Sequence, residues 1–395
     1  MAIAASIKNS LASSSMIRKM FEEGMQLKKQ YGADKVFDFS LGNPDIEPPP
    51  VFHELFVKLA NEDEKGSHGY MPNAGYANVR EAIAKKVSAE QNVKTDGSCI
   101  VMACGAAGAL NSVFKTICNP GDEVIVSRPF FMEYRHYTAN HQAKLIEADA
   151  KDDFDLDIEA ISKALNQRTA AVIINSPNNP TGKIYTAKTL ASLADALNAH
   201  GKKTGRFPYL VSDEPYREIA YSAEVPPVLS CYNESIIVSS YSKSLSLPGE
   251  RIGFVAVNPD ITSKEDLVNG IIFSTRILGF VNAPALMQRI VGHLAENPQA
   301  KVDVSIYKRR RNAFMKILDD AGIKYAAPEG AFYLFCKAPK DGDDIKFVEH
   351  LKKYLILGVP GSGFGKSGWL RFAYCVDEKI INASAEAFKE AMKNW

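Results

Sequence analysis

Ile236-Ile237-Val238-Ser239-Ser240-Tyr241-Ser242-Lys243-Ser244 opens on an apolar, β-branched run and closes on a lysine set among small hydroxyl residues. The run predicts a strand over 236–239, ended by the residues around the lysine. Leu247-Pro248-Gly249-Glu250-Arg251-Ile252-Gly253 then leads into a second apolar run over 253–257. Outward from this pair the same texture recurs, and strands are expected over 100–103, 123–127, 144–147, 170–175 and 209–212. Several are apolar at successive positions, the pattern of strands buried on both faces of a mostly parallel sheet. Helical periodicity lies between them, for example over 107–117, 158–165 and 190–199. Strand and helix in alternation place the chain in the α/β class, with a mostly parallel mixed sheet between helices.

The texture changes after about residue 290. A long helix over 300–321 is followed by a strand over 331–336, a helix over 345–354, a strand over 369–374 and a helix over 378–393. This is the pattern of a smaller α+β domain. Residues 1–35, with Ser13-Ser14-Ser15 near their start, read as one helix that joins it. The expected division is a large domain over 46–290 and a small domain made of 1–45 and 291–395.

At 395 residues the chain has room for two or three domains of roughly 100–200 residues each. Its formal net charge is +1, so no overall field recruits nucleic acid or an anionic membrane. The one dense basic run, Lys308-Arg309-Arg310-Arg311, lies in a helical stretch and reads as a solvated helix face. The six cysteines form no Cys-x-x-Cys pair and no metal-ligand spacing with the seven histidines. Free thiols in a reducing cytoplasm are therefore expected, with no metal site. No secretory leader and no membrane span of ~20 apolar residues is expected.

Four segments at strand ends carry the chemistry. A lysine such as Lys243 forms a Schiff base if desolvation lowers its pKa, and the hydroxyls beside it, with Arg251, suit a phosphate. Taken alone, it reads more readily as an exposed loop lysine, since most lysines are merely solvated. Asp213-Glu214-Pro215-Tyr216 closes the strand over 209–212, at the carboxyl end where open α/β sheets bind ligands. Its aspartate suits a pyridinium nitrogen, or simply a turn. Ser176-Pro177-Asn178-Asn179-Pro180-Thr181-Gly182 holds two amides between prolines. Cys104-Gly105-Ala106-Ala107-Gly108-Ala109 joins a strand to a helix through small residues, which lets backbone N–H groups approach a phosphate. Each segment alone has a plain structural explanation. Their order, with an arginine eight residues after the lysine, is a much rarer coincidence.

That order resembles the class I and II aminotransferases, the aspartate aminotransferase-like enzymes of fold type I that use pyridoxal 5'-phosphate (PLP). The resemblance spans Gly42 to Arg371. It implies that Lys243 forms the Schiff base with the cofactor and then shuttles a proton. It implies that Asp213 keeps the ring nitrogen protonated, and that Tyr216 and Asn179 bond the phenolic oxygen. Gly105, Ala106 and Ala107, with Ser240 and Arg251, correspond to the phosphate cup. Many relatives carry a hydroxyl where this chain has Ala107, so only its backbone N–H is available. Phe131 corresponds to the aromatic that stacks on the ring, with Phe130 its neighbouring rival. Arg371 corresponds to the clamp on the substrate α-carboxylate, with Gly42 a backbone donor and Asn179 alongside. Tyr70 corresponds to a tyrosine that reaches the phosphate of the neighbouring subunit, which implies a homodimer with shared sites.

The implied reaction is ping-pong transamination from an L-amino acid to a 2-oxo acid such as 2-oxoglutarate, with aspartate the favoured donor. Arg276, just beyond a helix over 264–272, is a candidate for a distal carboxylate. A PLP-dependent carbon–sulfur β-lyase shares the lysine, aspartate and tyrosine and is the alternative. A PLP-sensing transcription regulator is a third reading, but only about 40 residues precede Gly42, too few for a DNA-binding domain of typical size.

Overall fold

Seven strands form one sheet in the computed structural model, which describes residues 3–12, 16–62, 64–221, 223–340 and 342–395. From edge to edge the order is Ile100–Ala103, Gly253–Val257, Ser235–Ser240, Tyr209–Asp213, Thr169–Asn175, Glu123–Arg128 and Lys144–Asp149. Neighbours from Ser235–Ser240 to Lys144–Asp149 pair in parallel, and Gly253–Val257 runs antiparallel to both its neighbours. The strands are the predicted ones, several extended by one or two residues where ladder pairing continues into the turn. Alternate side chains feed two cores. Ile125, Val172 and Ile174 face the helices Ala77–Gln91, Ala187–Thr204 and Ala285–Ala295. Val124, Val126, Ala171 and Ile173 face Gly105–Ile117 and Lys264–Ile277. This is the both-faces-buried sheet that the apolar runs require.

A second sheet has the order Val359–Pro360, Trp369–Ala373, Tyr333–Lys337 and Tyr325–Ala326, antiparallel throughout. It shares an aromatic core, including Phe314, Phe347, Phe372 and Phe388, with helices Val304–Asp320, Asp344–Lys352 and Ala385–Lys393. Phe37–Asp38 pairs in parallel with Ile356–Leu357, which ties the N-terminal segment to the C-terminal part.

Several boundaries differ from expectation. The first 35 residues hold helices Ala5–Ala12 and Met16–Tyr31 and a 3-10 turn Ala33–Lys35; Ser13, Ser14 and Ser15 lie outside the described residues. Gly32, at φ 96°, turns the chain out of the second helix. The helix expected over 378–393 divides into Glu378–Ala383 and Ala385–Lys393, where the buried Ser384 returns its hydroxyl to the Ile381 carbonyl at 2.7 Å. Pairing expected from 331 begins at Tyr333, because Ala331 takes φ 55°. The basic run is a solvated face only in part: Lys308 and Arg309 are exposed, but the next two residues are held inward. Arg310 is 8% exposed and grips Asp45 with two bonds of 2.6 and 2.9 Å, and Arg311 bonds the Pro328 carbonyl at 3.0 Å. Among the described residues, no helix is long and apolar enough to cross a membrane.

Candidate active site

The parallel strands all end on one edge of the central sheet, and a cleft of about 290 Å³ opens there. Asn175 and Asp213 are register partners at the ends of adjacent strands, and Ser240 ends the next. The antiparallel strand starts on this same edge, with Gly253 opposite both Ala103 and Ser240. The residues just before it, Arg251 included, are therefore delivered to the cleft. Arg371 and Tyr333 come from the second sheet, and Leu41 and Gly42 from the loop after Phe37–Asp38.

Lys243 sits on the four-residue helix Tyr241–Ser244, and its Nζ donates to the Gly42 carbonyl at 2.7 Å. Burial pulls its amine down to about 8, Arg371 and Arg251 push the same way, and the nearby Cys375 opposes them. Asp213 is 5% exposed. Its Oδ2 accepts the Tyr134 hydroxyl at 2.6 Å; among the described residues its Oδ1 has no partner. Burial raises this carboxyl to about 7 against the lowering effect of Tyr134, and Glu214 adds to the rise. Asn175 donates to the Asp213 carbonyl at 2.8 Å and accepts the Asn179 N–H at 2.7 Å. One side chain thus fixes the Asn179 loop against the Asp213 strand. The Tyr216 and Tyr333 hydroxyls are 2.8 Å apart.

Arg371 is 2% exposed. It donates to Asn179 Oδ1 at 3.0 Å and to the Ser40 carbonyl at 2.6 Å, and its Nε is unpartnered. Its guanidinium lies 4.5 Å from the Tyr333 ring centre and 4.8 Å from that of Phe364. Among the described residues no carboxylate pairs with it. A buried cation without an anion is costly, so the site is built for one to arrive.

Gly105 opens the helix Gly105–Ile117 at φ 71°, and a Cβ there would lie 2.8 Å from Arg251 Nη2. Only glycine lets the guanidinium rest against the helix start. Ala106, Ala107, Ser240, Ser242 and Arg251 line this end of the cleft. Phe131 lines it too, edge-on to Tyr134 at 5.6 Å, whereas Phe130 is 1% exposed in the core. Tyr70 stands outside the cleft, 93% exposed. Arg276 lies on the last turn of Lys264–Ile277 rather than beyond the helix, exposed and outside the cleft.

The sequence reading missed Tyr134, Asn175 and Tyr333 and had Ser242 only among the hydroxyls beside Lys243. Tyr134 falls three residues after Phe131, one helical turn on, which is a local signal. Tyr333 offers no such signal, since its partners are distant in the chain. Among the described residues, no group of three or more His, Cys, Asp or Glu is placed to hold a metal ion.

Comparison with known proteins agrees with this geometry. The family described as aminotransferase class I and II matches residues 34–388. A probable aspartate aminotransferase of Methanocaldococcus jannaschii is 30% identical over 89% of this chain and 92% of its own length. A probable aspartate/prephenate aminotransferase of Aquifex aeolicus is 32% identical over 91% of each chain. An aminotransferase structure from Eubacterium rectale superimposes with a TM-score of 0.95 at 36% identity, covering 100% of this chain and 99% of that one. The aspartate aminotransferase of Thermus thermophilus with maleate gives 0.86 at 26% identity, over 96% of both chains.

Proposed function

This chain belongs to the class I and II aminotransferases, and from that premise we propose that it carries the amino group of an L-amino acid, aspartate favoured, to a 2-oxo acid such as 2-oxoglutarate in two half-reactions. Enzymes of this family use pyridoxal phosphate, and the cleft fits it. The observation that carries the reading is the unpartnered Oδ1 of buried Asp213, in the same cleft as the half-buried Lys243 amine. A protonated ring nitrogen completes that carboxylate.

When bound, the cofactor supplies an electron sink for the charge left at the substrate Cα. Asp213 would keep the ring nitrogen protonated, Tyr216 and Asn179 would bond the phenolic oxygen, and Phe131 would cover the ring. The N–H groups of Gly105, Ala106 and Ala107, the Ser240 hydroxyl and the Arg251 guanidinium would hold the phosphate, which the helix start would favour further. Arg371 takes the substrate α-carboxylate, with Gly42 beside it. Lys243 would hold the cofactor, and its amine, when free, would serve as the base for the proton at the substrate Cα. Burial, which lowers the Lys243 amine to about 8, favours the neutral form that a base requires.

The relatives named for aspartate, and the Thermus enzyme solved with maleate, support a dicarboxylate substrate. The cations lining this cleft are Lys243, Arg251 and Arg371, each with a role already. A distal carboxylate therefore needs a cation from outside the chain's own cleft, and Arg276 is exposed for such a task. This reading requires a homodimer, in which Tyr70 also reaches the neighbouring phosphate. It divides each subunit into a large domain over 46–290 and a small one over 1–45 and 291–395, and it places the enzyme, with its six unpaired cysteines, in the cytoplasm.

An absorbance spectrum tests the core of the proposal. Protein reconstituted with PLP should show a visible band that Lys243→Ala abolishes, and aspartate should convert it to the pyridoxamine form. A colourless wild type would sink the reading. Pyruvate and ammonia released from a cysteine conjugate, with no conversion by any amino acid, would replace it with a β-lyase.

A further inference from the structure

Tyr333 begins the strand Tyr333–Lys337 and lies between the two ends of the cleft. Its hydroxyl is 2.8 Å from that of Tyr216, and its ring lies under the Arg371 guanidinium, 4.5 Å from ring centre to Cζ. Gly42 makes room for it, since a Cβ at that position would overlap the Tyr333 hydroxyl. Arg371, Cys375 and Tyr216 are the charged or titratable groups that act on it.

A tyrosine hydroxyl has one hydrogen to give and lone pairs with which to accept. On the functional reading above, on which this inference rests, Tyr216 gives its hydrogen to the cofactor's phenolic oxygen. In its bond with Tyr333 it can then only accept. We propose that Tyr333 is a positioning residue whose hydroxyl donates to Tyr216, strengthening Tyr216 as a donor to the cofactor, while its ring seats Arg371 for the substrate carboxylate.

Two physical effects support the two halves. A hydroxyl that accepts a hydrogen bond becomes a better donor in turn. Burial raises both phenols, so each hydroxyl keeps its hydrogen and Tyr333 has one to give. A guanidinium stacked on a buried ring is held in plane and attracted by the ring's electrons, which keeps its free N–H groups aimed at the cleft.

Two variants separate the halves. Tyr333→Phe keeps the ring and loses the hydroxyl; Tyr333→Leu loses both. In PLP-loaded enzyme without substrate, the visible absorbance titrates with the nitrogen linking Lys243 to the cofactor. A donor on the phenolic oxygen draws off negative charge that would hold a proton on that nitrogen. Weaker donation therefore raises the midpoint. Tyr333→Phe should raise it by roughly half a pH unit, with KM for the amino donor within about twofold of wild type. Tyr333→Leu should show the same shift and a KM raised about tenfold. Tyr216→Phe serves as the control and should raise the midpoint further. If Tyr216→Phe moves the midpoint and Tyr333→Phe does not, whatever the change in Tm, the donor role of Tyr333 is overturned and the reading of Tyr216 survives. If neither moves it, the reading of Tyr216 itself falls. Equal KM values in Tyr333→Phe and Tyr333→Leu overturn the seat for Arg371.

Discussion

Replacing Asp213 by Asn isolates what burial does to one carboxyl. In the cofactor-free protein Asp213 keeps its proton up to about pH 7, whereas the unfolded chain releases it near the ordinary 3.8. The folded state thus binds more protons between those values, and its stability falls as pH rises through them. Asp213→Asn has no such proton to lose. We expect the cofactor-free variant to exceed wild type by about 2–4 kcal/mol at pH 8, with the gap closing toward pH 4, in urea unfolding. A gap independent of pH would contradict this account. The same variant should bind PLP far more weakly. Residues at strand ends, such as Lys243 and Asp213, were legible because a turn after an apolar run marks where a side chain leaves the sheet. Tyr134 and Tyr333 were not singled out, because what matters about them is a hydroxyl partner 79 or 117 positions away. The choice between Phe130 and Phe131 is likewise set by which of two adjacent side chains points inward.

At the scale of elements, periodicity located the strands of the central sheet and most helices to within a few residues. It located ends less well, because capping and backbone turns at Gly32, Ala331 and Ser384 decide them. Charge patterning was right for Lys308 and Arg309 on the helix Val304–Asp320 but not for the two arginines that follow. Its Arg310 is paired with Asp45, three residues after Gly42, so the helix anchors the loop that lines the substrate end of the cleft. Arg310→Ala leaves Asp45 without its partner and should cost about 1–3 kcal/mol in unfolding. It should also raise KM for the amino donor more than it lowers kcat, because the loop loses its anchor while Lys243 keeps its place. An unchanged KM would mean that the loop is held by other contacts. At the other end, Gly105→Ala should weaken PLP binding measured by fluorescence. Its Cβ crowds Arg251, and φ 71° costs an alanine about 1–2 kcal/mol.

At the scale of the whole molecule, Tyr70 at 93% exposure and the exposed Phe273 and Ile277 are surfaces that the second subunit of the proposed homodimer would cover. Shared sites make a sharp prediction. Lys243→Ala and Tyr70→Phe each impair every site in their own homodimers. In a mixed dimer one site combines an intact Lys243 with an intact Tyr70, so refolding the two variants together should restore activity that neither has alone. No recovery on mixing would place Tyr70 outside the neighbouring site. Arg276→Ala should raise KM for aspartate while leaving that for alanine unchanged, if the distal carboxylate is read across the same interface. The strand order, with parallel neighbours and one reversed strand next to the edge, could not be read from strand positions alone, because nothing local specifies which strands adjoin. That topology also has a bearing on biosynthesis. Arg371 donates to the Ser40 carbonyl, 331 residues earlier in the chain. At roughly 5–20 residues per second a ribosome takes about 15–65 s to cover that interval. For all that time the loop carrying Gly42 waits without the strand that completes it, so a nascent or truncated chain has no place for an amino acid to dock. The substrate-binding half of the cleft is therefore finished only once Arg371 has been made and has paired back onto the loop.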